Sequence, residues 1–141
     1  MNYAEFYATL FKPLERKFGK LDSETLAYVI GFSASGPVSM KRQKRSELFT
    51  TCELAAYLEQ QVSSEGLKYE LFAVGFSEDW CRKVFTALGS LSKEVGLGDN
   101  HTVDVSDTVE AEEKVKAVQL RLFSQCTYQK SRYGLYRVQA A

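Results

Sequence analysis

The stretch KYELFAVGF, Lys68 to Phe76, decides how the chain is read. Tyr69, Leu71, Phe72, Val74 and Phe76 crowd both faces of an extended segment, and a strand with two apolar faces belongs at the centre of its sheet. Ser77 then caps a helix. Glu78 and Asp79 fall in its first turn, where the helix dipole favours acids, and Trp80, Val84, Leu88 and Leu91 recur at helical spacing. The run Gly96-Leu97-Gly98-Asp99-Asn100 is made of turn formers and stops it.

Toward the N-terminus, SELFTTC (46–52) reads as a strand, and ELAAYLEQQ (53–61) reads as a short helix through the step Leu54, Tyr57, Leu58. Ser63-Ser64-Glu65-Gly66 closes that helix with a turn. VSMKRQKR (38–45) holds four positive charges between Lys41 and Arg45 and is expected as an exposed loop or hairpin tip. TLAYVIGF (25–32), rich in β-branched and aromatic residues, is a strand entering the loop Ser-Ala-Ser-Gly-Pro. Before it, Tyr3, Phe6, Tyr7, Leu10, Phe11, Leu14 and Phe18 mark one face of a helix over 2–18. Asn2 and Glu5 resemble a capping box, Pro13 should kink or restart the helix, and Phe18-Gly19 ends it.

Toward the C-terminus, HTVDV (101–105), KVKAVQLRLFSQ (114–125) and YGLYRVQ (133–139) read as three further strands, with an acidic segment after the first. The order implies an α+β fold in one domain, residues 1–141. Its sheet is mixed or mostly antiparallel, with about five to six strands and two main helices packed against it. The N-terminal helix covers 2–18 and the body 25–138.

Composition bounds the function. The chain has 141 residues, 45% hydrophobic and 26% charged, with two prolines, which suits a packed core that needs neither disulfide nor structural metal. Eighteen basic and eighteen acidic residues cancel, which disfavours a general nucleic-acid binder. No apolar run approaches the ~20 residues of a membrane span, and the N-terminal charges follow a broken apolar stretch, so a cytoplasmic protein without a leader is expected. Cys52, Cys81 and Cys126 are odd in number and widely spaced; they fit a reducing compartment as small buried hydrophobes.

Few residues suggest chemistry. The single histidine, His101, could pair with Cys52, Cys81 or Cys126 as a thiol–imidazole couple, or join all three around zinc. No two of these ligands share the short spacing that builds half a metal site, so His101, after Asp99-Asn100 and before a strand, is expected to cap a turn by hydrogen bonding the backbone. GLGD (96–99) follows a helix and SASGP (33–37) precedes no Gly-Lys-Ser, so both are turns rather than phosphate loops. Trp80, Phe85, Tyr28, Tyr69 and Phe72 are expected in the core. KRQKR (41–45) lacks nearby stacking aromatics and reads as solvated. The acidic group Asp104, Asp107, Glu110, Glu112 and Glu113 reads as a solubilising loop or as a surface complementary to a basic partner. Neither a catalytic set nor a cofactor or metal site is expected; binding is favoured over catalysis.

Several segments resemble bacterial suppressor-of-fused-like domains. YVIGFSASGPVSM (28–40) followed by KRSELFTTCEL (44–54) is similar to the family's opening strands. KYELFAVGFSEDWCRKVFTALGSLS (68–92) is similar to its tryptophan-bearing helix, GLGDNHTVDV (96–105) to its histidine-threonine turn, and YGLYRVQ to its closing strand. The likeness spans Tyr28 to Val138. Asp79 stands where the family often has proline, and Asn100 where it often has glycine. The resemblance implies a mixed α/β fold with a curved sheet. It also implies a cytoplasmic immunity protein, an antitoxin of polymorphic or contact-dependent toxin systems, that occludes the active site or substrate groove of a cognate toxin. With a basic nuclease as that toxin, the five acids are the expected contact. No nucleic-acid or membrane partner is expected, and the protein is a monomer or homodimer. The alternatives are a general interaction module that sequesters another protein, and a small Cys/His enzyme.

Overall fold

The computed structural model describes residues 2–29 and 38–141. The chain forms α1 (Tyr3–Phe18), β1 (Leu26–Val29), β2 (Val38–Gln43), β3 (Leu48–Cys52), a single 3-10 turn (Leu54–Ala56), β4 (Lys68–Val74), α2 (Glu78–Leu91), β5 (Thr102–Asp104), β6 (Ala117–Tyr128) and β7 (Ser131–Ala140). Among the described residues, seven strands make one sheet in the order β1-β2-β3-β4-β7-β6-β5. The β4–β7 pair is parallel and every other neighbour is antiparallel, so the expected α+β class with a mixed sheet holds.

β4 lies at the middle of that order and separates two cores. Tyr69, Leu71 and Ala73 face α2, where Trp80, Cys81, Val84, Phe85 and Leu88 are buried. Phe72 faces α1 with Phe6, Leu10, Phe11 and Leu14. The alternation along one strand thus places a helix on each side of the sheet. Trp80 is 3% exposed and stacks on Phe76 with ring centroids 3.8 Å apart, which makes it a core anchor. Tyr69, Phe72 and Phe85 are fully buried as expected. The Tyr28 side chain, the loop at 33–37 and the end of the expected 25–32 strand lie outside the described residues.

The local signals for both helices are realised. Asn2 Oδ1 accepts from the Glu5 amide at 3.1 Å, and Ser77 Oγ accepts from the Trp80 amide at 3.1 Å. Gly19, at φ +105°, closes α1 in a conformation a side chain would resist. Pro13 neither ends nor restarts α1, which runs through it as one element. Gln129 and Lys130, both at positive φ, form the tight turn of the β6–β7 hairpin.

Two expectations are corrected. The basic run 38–45 is mostly strand: β2 pairs with both β1 and β3, and only residues 44–47 form the hairpin tip. Its charges are compatible with a strand because Met40 points into the α2 core, while Arg42 reaches Asp22 at 3.3 Å and Glu24 at 3.0 Å. The helix expected over 53–61 is one 3-10 turn followed by irregular chain. Glu53 at φ +89° begins that turn, and a tertiary contact fixes its amides.

Candidate functional site

Glu70, in the middle of β4, faces α1 and is fully buried. A carboxylate in this position is tolerated only if its lone pairs are used. Oε1 accepts from Thr51 Oγ1 at 2.7 Å and from the Leu54 amide at 3.1 Å. Oε2 accepts from Tyr7 Oη at 2.8 Å and from the Ala55 amide at 2.7 Å. One side chain therefore ties α1, β3 and the 54–56 turn to the central strand. It also ends the helical tendency of 53–61, because the amides it captures are those that open the turn. Burial raises the Glu70 carboxyl to about 7, against the opposing pull of the four donors.

Above this carboxylate a cleft of about 830 Å³ opens between the first turns of α1, β2 and the 53–58 segment. Tyr3, Tyr7, Ser39, Lys41, Glu53 and Leu58 are among its lining residues. The 53–60 wall is held firmly. Lys68 Nζ donates to the Tyr57 and Gln60 carbonyls at 2.5 and 2.8 Å, and the Gln60 amide bonds both the N–H and the carbonyl of Tyr69 at 3.0 Å. Gln60 thus fills the place a neighbouring strand would take. Inside the cleft, Ser39 Oγ donates to Glu53 Oε1 at 2.7 Å. On the rim, Leu58 is 95% exposed and Tyr3 55%.

Cys52 also lines the cleft, and its thiol is pushed up to about 12, first by burial and then by the charges of Glu70 and Glu53. At neutral pH it is a thiol, which is poorly nucleophilic. Cys81 is buried on the opposite, α2 side, and its thiol is also raised by burial. In the native protein at pH 8, iodoacetamide is expected to modify Cys126 alone, as read by peptide mass; fast labelling of Cys52 would contradict this environment. His101 is exposed, and its ring meets Ser64 Oγ at 3.5 Å. That side-chain contact replaces the expected backbone cap. Among the described residues no hydrogen bond joins His101 to a thiol, and no group of three or more His, Cys, Asp and Glu could hold a metal.

The five acids lie on and after the edge strand β5, and none of them lines the cleft. Buried Val105 and Val109 anchor the segment to the α2 core. Asp104 accepts from the Ser106 amide at 2.8 Å, and Glu110 pairs with Lys83 at 2.5 Å. Asp107 and Glu112 are exposed and Glu113 is half-buried.

Glu70 and the cleft went unread in the sequence, although a signal existed: a glutamate inside a strand with two apolar faces must itself be buried. Comparison with protein-family models, with curated proteins and with solved structures finds no match. The resemblance to suppressor-of-fused-like domains therefore rests on the quoted segments alone. No helix among the described residues is long and apolar enough to cross a membrane.

Proposed function

We propose that the protein acts in the cytoplasm by binding a protein partner, and that it performs no bond-making of its own. In line with the suppressor-of-fused-like resemblance, the partner is a toxin that it occludes as an immunity protein. The observation that carries this reading is the pairing of an open cleft with a nearly fully exposed leucine on its rim. Leu58 and Tyr3 flank the opening, and large apolar side chains left in water beside a preformed concavity are what a central interface anchor provides. The firm ties on the 53–60 wall limit the ordering cost of association.

Co-expression with any candidate toxin encoded beside its gene tests the reading. Restored growth together with co-purification is the expected result. Failure of both overturns the immunity assignment, while capture of a different protein through Leu58 would assign the chain to a sequestering module.

The acidic segment serves encounter. Asp107, Glu112 and Glu113 make no ion pair among the described residues, so their field is free to steer a basic partner. Reversing all three to lysine is expected to slow association about tenfold at low salt and to leave dissociation unchanged. Unaltered association kinetics would remove the segment from the interface.

A further inference from the structure

Resting on the reading of the cleft as the partner's seat, we propose that Tyr7 and Glu70 form a proton-operated hydrogen-bond pair that switches Tyr7 between acceptor and donor toward the cleft. Tyr7 lines the cleft, and its hydroxyl points at Glu70 Oε2, 2.8 Å away. With Glu70 ionised, the Tyr7 proton is committed to the carboxylate, and the hydroxyl oxygen, which also bonds the Glu53 backbone, has no hydrogen to offer an occupant. When Oε2 takes a proton from solvent, the new carboxyl O–H lies on the Tyr7 line and donates to Tyr7 Oη. The phenolic hydrogen then turns about its C–O bond toward the cleft. Oε1 keeps Thr51 and Leu54, and Oε2 still accepts from Ala55, so the exchange alters one bond and leaves the wall in place.

The surroundings leave this pair to titrate by itself. From α1 comes Tyr7, whose own ionisation is pushed up by burial and by Glu70. β3 contributes Cys52, a thiol at neutral pH; Glu53 follows it and accepts a hydrogen bond from Ser39. β2 brings Lys41 to the cleft wall, and β7 adds Tyr133 to the same apolar cluster. Among the described residues no cation lies within ion-pair distance of Glu70 to hold it ionised. Burial therefore sets its protonation near neutrality.

The test is carbon-13 NMR on the whole chain, labelled at Glu Cδ and Tyr Cζ, from pH 5 to pH 9. The Glu70 and Tyr7 signals are expected to move together with one midpoint near 7. Glu70→Gln should flatten the Tyr7 response, and Tyr7→Phe, which removes a donor to the carboxylate, should move the Glu70 midpoint upward. If Glu70→Gln does not fold, Tyr7→Phe still decides. No titration of Glu70 in this range, a flat Tyr7 signal while Glu70 titrates, or an unmoved Glu70 midpoint in Tyr7→Phe overturns the pair. No partner enters the measurement, so its failure and failure of the docking role are separate results.

Discussion

Glu70→Ala is expected to destabilise the protein by about 4 kcal/mol at pH 8, read by urea unfolding. The substitution strands the Leu54 and Ala55 amides and the Thr51 and Tyr7 hydroxyls, which share that carboxylate. Each buried donor left without an acceptor costs about 1–3 kcal/mol, offset in part because a buried charge is removed. Against a domain stability of about 5–15 kcal/mol, such a loss threatens the fold. A cost below about 1 kcal/mol would contradict the tie that joins α1, β3 and the 54–56 turn.

The sign of its pH dependence follows from the same burial. The Glu70 carboxyl is raised from 4.5 to about 7, so the extra stability linked to its proton is complete below 4.5 and lost as pH rises through 7, leaving the tie described above. That gap corresponds to about 3 kcal/mol. The deficit of Glu70→Ala should therefore be larger at pH 5 than at pH 8. Glu70→Gln should lose the slope between the two.

Leu58→Asp should behave in the opposite way. Leu58 is 95% exposed, so its replacement should change stability by no more than about 0.5 kcal/mol. A central anchor is worth at least about 2 kcal/mol in binding, and the same change should weaken the partner's affinity about 30-fold or more, measured by calorimetry. Equal affinity for Leu58→Asp would remove the cleft rim from the interface. The two substitutions separate what builds the cleft from what uses it.

The sequence made most of the architecture legible because periodicity records burial. Trp80, Val84 and Leu88 fall on one face of α2, and the doubly apolar 68–76 segment became the middle strand. The errors share one cause, a partner distant in sequence. Lys41 and Arg42 look solvated until Asp22 and Glu24 are seen to balance Arg42, and the helical step Leu54, Tyr57, Leu58 yields to a carboxylate sixteen residues beyond Leu54. The acidic segment was visible as composition. Its division into bonded acids, such as Glu110 on Lys83, and free ones such as Asp107 depends on how the chain returns to α2. The cleft was invisible for a similar reason, since its walls come from residues as far apart as Tyr3 and Leu58.

Hydrogen exchange of the protein alone and in complex with the proposed partner toxin tests the central proposal most directly. The account predicts new protection concentrated at residues 3–7 and 53–58, around the cleft mouth. Protection confined to other surfaces, with both of those segments exchanging as in the free protein, would contradict it.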